Sequence, residues 1–225
     1  MFKALTTDDK IADVAIVTSG VFQDGVSSIT TFFTSSTQYT NTGDYNVDLY
    51  RYDPANNASA SVQFGVAFGH REGSGSLGLV GSTGDRATQA VYGQFNQLIN
   101  PPQTSDFTFS SKTDVKLIYA LTLNRARIRE NLEPGGWELH LQAAAGRTIK
   151  LIDDSSTNKG GNTDQRNFAP EYNIVSGSLS GGTTIVTAAS AESSGVGSYG
   201  LFYPSLGVLL LNPLRLQSEP LNLIT

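Results

Sequence analysis

The sequence predicts a mainly β fold: an antiparallel β-sandwich or barrel-like domain with one amphipathic helix, at about 85–100, packed on a sheet. Three observations lead there. Glycine is abundant, at 23 of 225 residues, and charged residues are only 16%, below the ~25% usual for soluble domains. A polar, uncharged, Gly-rich and β-branched chain suits strands joined by many turns. Several segments alternate apolar and polar residues with a period of two, which puts one strand face on a core. A single stretch shows helical spacing, and two prolines close it.

Taken in order, Asp13–Phe22 reads as a strand broken at Ser19-Gly20, and Ile29–Thr37, β-branched and aromatic, as a second strand. In Asn46–Tyr52 the residues Val47, Leu49 and Arg51 share one face, and Asp53-Pro54 with Asn56-Asn57 marks a turn. Ser61–His70 places Val62, Phe64, Val66 and Phe68 on one face. Gly65, Ala67 and Gly69 on the other are small, so something is expected to pack closely there. Asp85–Asn100 is the helix, with Ala87, Ala90, Val91, Gln94, Phe95, Leu98 and Ile99 as its stripe, Thr83 or Asp85 as its cap and Pro101-Pro102 as its stop. Asp114–Ile128 reads as one long strand; Glu133-Pro134-Gly135-Gly136 is a turn, Trp137–Leu141 a strand and Thr148–Ile152 a short one. Tyr172–Leu179 with Thr183–Ala188, and Tyr199–Tyr203 with Gly207–Leu211, read as hairpins. The whole forms a single β-rich domain over 1–225, with an N-terminal attachment segment at 1–45 and a docking tail at 214–225.

Bulk properties narrow the function. A net charge of −5 argues against broad phosphate binding, which needs clustered Lys and Arg. There is no cysteine, so disulfides, thiolate catalysis and Cys-based zinc sites are excluded. The start, Met1–Lys10, has acidic residues where a signal peptide would have an apolar run. The longest apolar stretch lies near Leu206–Leu211, far short of the ~20 residues of a membrane span. A soluble chain made in a cytoplasm is expected, and Asn57-Ala58-Ser59 is then a chance glycosylation pattern.

Few motifs point to chemistry. Gly73-Ser74-Gly75-Ser76-Leu77-Gly78 spells G-x-G-x-x-G, but no helix opens inside it and no acidic residue follows near position 95, so it reads as a Gly-Ser loop. His70 and His140, the two histidines, lack metal-site spacing and read as strand-end residues. No G-x-S-x-G elbow is present. Glu130/Glu133 and Asp153-Asp154 are paired acids of the kind glycosidases use, but on turns they read as solvated. Asp153, Asp154, Asn158, Asn162 and Asp164 offer calcium-type oxygens without the ordered spacing of a calcium loop. No cofactor, metal or small-molecule substrate is expected.

Assembly is the better-supported theme. Arg125, Arg127 and Arg129 alternate, so on a strand they share one face, and Arg51, Arg71 and Arg86 add further guanidinium groups. Arginine suits bidentate pairing between subunits. Leu221, Leu223 and Ile224 make the tail apolar and fit docking on a neighbour. Trp137, between a Gly-Gly turn and alternating apolar residues, is expected in a core or interface rather than on a ligand.

Several segments belong together: Phe64-Gly65-Val66-Ala67-Phe68-Gly69-His70-Arg71 with Gly73-Ser74-Gly75-Ser76; Ala87–Phe95 followed by Tyr119-Ala120-Leu121-Thr122-Leu123-Asn124-Arg125-Ala126-Arg127; Leu132-Glu133-Pro134-Gly135-Gly136-Trp137-Glu138-Leu139; Tyr172-Asn173-Ile174-Val175-Ser176-Gly177-Ser178; and Tyr199–Gly207. In this order they resemble the virion structural proteins of large contractile-tailed phages, notably those of cyanobacteria. The resemblance covers roughly 60–215. It implies a non-enzymatic tail or baseplate component, located in the virion after assembly in the host cytoplasm. Its partners would be other virion proteins, or further copies in an oligomer or ring, with no nucleic acid and no membrane. A carbohydrate-binding β-sandwich for host attachment, with Tyr39, Tyr45, Tyr50 and Trp137 stacking on sugars, is the alternative. A hydrolase on a β scaffold is a third reading, without a legible nucleophile–base pair.

Overall fold

The structure, a computed structural model, describes residues 17–18, 20–34, 46–73, 86–100, 106–142, 146, 148–162, 170–187 and 196–218. In chain order the strands are β1 (Val17–Thr18), β2 (Phe33–Thr34), β3 (Asn46–Tyr50), β4 (Val62–His70), β5 (Phe107–Phe109), β6 (Lys112–Val115), β7 (Leu117–Leu123), β8 (Asn131–Leu132), β9 (Leu139–Gln142), β10 (Thr148–Asp153), β11 (Tyr172–Ser178), β12 (Thr184–Thr187), β13 (Gly200–Tyr203) and β14 (Val208–Leu211). The helices are α1 (Ala87–Ile99) and α2 (Pro213–Ser218). The chain is mainly β, as its alternation predicts. Among the described residues ten strands form one curled antiparallel sheet, in the order β2-β3-β4-β7-β14-β13-β11-β10-β9, with β12 paired to β11. β1 pairs with β8 in parallel, and β5 with β6 in a small hairpin.

The sheet has a core on each face. On β7, Ile118 and Ala120 point to one side and Leu121 to the other. Leu201 and Tyr203 of β13 and Val208 and Leu210 of β14 join the first side, and Phe202, Leu209 and Leu211 the second. The first core is roofed by α1 through Tyr92, Phe95 and Ile99, and by Phe107, Phe109 and Val115 of the β5–β6 hairpin. The second gathers Leu151, Tyr172 and Ile174 with Ile128, Leu132 and Leu216. Every residue of β13 and β14 is therefore buried, which explains their near-continuous apolar sequence.

The small face of β4 does receive a close neighbour. A Cβ on Gly69 would stand 2.9 Å from the Tyr92 amide nitrogen of α1. The helix, 13 residues long, lies inside the predicted span of 85–100, but its buried stripe is Thr88, Tyr92, Phe95, Asn96 and Ile99. Leu98, expected inside, is 52% exposed. The stripe turns because the Tyr92 hydroxyl donates to the Val115 carbonyl at 2.8 Å and to Asp106 at 3.2 Å, a buried polar anchor that periodicity counts against the core. Arg86 occupies the cap position without capping the helix through its side chain, while Thr83 and Asp85 lie outside the described residues.

The long strand expected over 114–128 is interrupted twice. Asp114 sits at φ 58° inside β6, at the register shift of the β5–β6 hairpin, and Lys116 alone separates β6 from β7. At the other end Asn124 stops β7: its side chain accepts from the Ala126 amide at 3.1 Å and donates to the Val62 carbonyl at 3.0 Å. Such local side-chain bonding competes with a continuing ladder. No helix among the described residues is long and apolar enough to cross a membrane.

Candidate assembly interface

The arginines singled out by spacing do not share a strand face. β7 ends at Leu123 and Arg125–Arg127 form a 3-10 turn. Arg125 donates from Nη1 to the Ile128 carbonyl at 2.6 Å, bracing its own turn. Arg127 donates from Nη2 to the Ser61 hydroxyl at 2.8 Å. That hydroxyl belongs to a cluster around Gln63, which is 1% exposed. Gln63 Oε1 accepts from the Gln23 amide at 2.6 Å, and Gln23 Oε1 accepts from the Ser61 hydroxyl at 3.1 Å. Arg51 donates to the Gln23 carbonyl and pairs with Asp24 at 2.9 Å. Arg51 thus fastens the loop around Gln23–Gly25 to the end of β3, while Arg127 braces Ser61 in the cluster by which Gln23 is tied to the start of β4. Leu221, Leu223 and Ile224 lie outside the described residues, as do Tyr39, Tyr45, Asp164 and the loop from Ser74 to Gly84.

The acidic pair Asp153-Asp154 is buried, at 1% and 6% exposure, where a solvated turn was expected. Asp153 accepts from the Gly135 amide at 2.8 Å and the Ser155 amide at 3.0 Å, so it ties the Glu133–Gly136 turn to the end of β10. Asp154 accepts from the Asn173 backbone amide at 3.0 Å and the Asn173 side chain at 2.9 Å. Burial pushes the Asp154 carboxyl above its usual range, against the pull of those two donors. Asn158 and Asn173 both donate to Asn162 Oδ1, at 2.9 and 3.3 Å. These oxygens face amide donors, and among the described residues no three His, Asp or Glu side chains gather as metal ligands. Glu130 and Glu133 are exposed.

Two carboxylate hubs escaped the sequence reading. Asp106, buried beside α1, pairs with Arg71 and accepts from the Tyr92 hydroxyl. Burial raises the Tyr92 hydroxyl well above its ordinary value. Glu138 accepts from the Leu179 amide at 2.8 Å, the Ser178 hydroxyl at 3.1 Å, Lys150 Nζ at 3.0 Å and His140 Nε2. The Leu179 amide leads in holding its carboxyl down at about 2. His70 accepts from the Glu72 amide at 3.1 Å. Spacing signals none of these hubs, because each joins residues far apart in the chain. Trp137 lies against the second core with its ring 5.3 Å from that of Phe202, as its context predicts.

Among the described residues the sheet does not close on itself: its path ends on β2 and β9, and β12 pairs with β11 alone. Phe32 and Phe33, just before and in β2, are 54% and 40% exposed. Val186 of β12 is 76% exposed. It is the extra residue of a bulge, since Thr187 faces Ser176 while Ile185 faces Gly177. Scans against known protein families, curated proteins and solved structures found no match.

Proposed function

We propose that this chain is a non-enzymatic virion structural protein, a tail or baseplate component that assembles with other virion proteins or with further copies of itself. The observation that carries the reading is the terminal strand of an open sheet: among the described residues β2 ends the path, carries no charged side chain, and brings two adjacent exposed phenylalanines, Phe33 within it and Phe32 just before it. A sheet edge offers a row of backbone donors and acceptors, and exposed aromatics beside it supply anchors for a docking chain. Bulges and charges often blunt such edges. β12 carries a bulge at Val186, and charged Glu138 and Lys150 stand near the β9 edge, which leaves β2 as the unblunted edge among the described strands. The resemblance over 60–215 turns assembly into virion assembly. Glycan attachment draws on Trp137, whose ring is already spent on Phe202.

Locating the chain by cryo-EM in purified particles of the encoding phage tests the proposal. Density for the sheet in the tail, with β2 against a neighbour, is the expected result. Absence of the chain from purified particles overturns it.

A further inference from the structure

β11 is held at both ends by buried or half-buried carboxylates from elsewhere in the chain. At its start Asp154 receives the Asn173 backbone and side-chain amides. At its end Glu138 receives the Ser178 hydroxyl and the Leu179 amide on one oxygen, and Lys150 of β10 and His140 of β9 on the other. Beyond Leu179 the hairpin has little else to hold it. Ser180 to Thr184 are exposed, Ile185 is half-buried, and among the described residues β12 pairs only with β11. Segments with few buried apolar contacts and exposed backbone bonds are the ones that open locally.

We infer that Glu138 is a charge-gated clasp for the β11–β12 hairpin: its ionised carboxylate holds the hairpin against β9 and β10, and neutralising it frees the hairpin while the Asp154 end of β11 stays shut. The chemistry follows from the donors. A carboxylate accepts all four bonds, whereas a protonated carboxyl turns one oxygen into a donor that faces donors already there. The titratable groups facing Glu138 are Lys150 from β10 and the His140 ring from β9; β11 contributes only the Ser178 hydroxyl and the Leu179 amide.

The two ends respond to acid in opposite senses. Glu138 is depressed from 4.5 to about 2, so its contribution is complete above 4.5 and is lost as pH falls through about 2. Asp154 is raised, so the folded chain takes up its proton more readily than the unfolded one, and protonation there favours the fold. Acid therefore opens β11 from the Glu138 end. This inference does not rest on the virion reading.

Residue-resolved hydrogen exchange on the full chain at pH 7, comparing wild type with Glu138→Gln, tests it. The expected result, read in rising sub-denaturing urea, is exchange roughly tenfold or more faster at residues 178–187 through an opening with almost no urea dependence, while residues 208–211 keep the steep urea dependence of global unfolding. Unchanged exchange at 178–187 overturns the clasp, and so does an acceleration there that carries the same steep urea dependence as β14, which would make Glu138 a general stabiliser. If Glu138→Gln does not fold, wild type at pH 3 against pH 7, corrected for intrinsic exchange, gives the same two outcomes.

Discussion

β14 and β12 belong to one sheet and are held in place by different physics. Every side chain of β14 is buried, and its two neighbours β7 and β13 pair along its full length. β12 is bulged and exposes Val186, and the hairpin that carries it is tied down at its base by the carboxylate of Glu138. The centre is fixed by apolar area removed from water, worth ~25 cal/mol per Å² and insensitive to pH. The rim is fixed by polar hubs: Gln63 with Gln23 near β4, Asp154 with Asn173 at the start of β11, and Glu138 at its end. Such hubs specify geometry and lose their grip when one member changes charge or leaves. A protein that docks through its edges gains from this division, because the edges can adjust while the centre keeps its register.

The comparison breaks first at the centre. Phe202 is fully buried and touches the rings of Trp137 and Tyr172. Phe202→Ala should cost ~3–5 kcal/mol in urea unfolding followed by circular dichroism. A loss below ~1 kcal/mol would mean the second core is loosely packed. Next comes the seam between α1 and β4. Gly69→Val forces side-chain atoms against the α1 backbone and should cost ~1–3 kcal/mol by thermal melting, whereas Gly93→Ala on the same helix, where an added Cβ meets nothing within 4 Å, should be neutral or slightly stabilising.

The rim should respond less, and with a pH signature. Wild type should lose stability as pH falls from 4.5 towards about 2, the interval over which the depressed Glu138 carboxyl takes up its proton while the unfolded chain already holds one. Glu138→Gln should remove that acid limb and cost ~1–2 kcal/mol at pH 7, a figure kept modest because the Lys150 and His140 partners are half exposed and screened. An unchanged acid limb in the variant would move the effect elsewhere. The smallest change is Asn124→Ala, which removes the cap of the Arg125–Arg127 turn and should cost ~1 kcal/mol in the same urea titration.

The centre was legible in the sequence because burial writes itself as period and composition. Val62–His70, Leu117–Leu123, Tyr172–Ser178 and the Gly200–Leu211 hairpin lie where alternation puts them, and the small face of Gly65, Ala67 and Gly69 announced a close neighbour, which α1 supplies at Gly69. The rim was not legible, because its bonds join residues far apart. Gln23 meets Gln63 across 40 positions, and Glu138 meets Leu179 across 41. Local pattern also misassigned polar residues that act as anchors. Tyr92 turned the helical stripe, Asp153-Asp154 proved buried rather than solvated, and Arg125 and Arg127 folded into a 3-10 turn, with Arg129 just after it, instead of lining a strand. In each case a hydrogen-bonded partner from another element repaid the burial or bent the chain, and spacing alone carries no record of that partner.

Native-state hydrogen exchange in rising, sub-denaturing urea reads the division between centre and rim most directly. The expected pattern is a hierarchy: amides of β14 and β13 exchange only through global unfolding, with a steep urea dependence, while those of β12 exchange through a small opening with almost none. If β12 and β14 instead merge onto one urea-dependent isotherm at all concentrations, the rim is as firmly held as the centre, and the division does not exist.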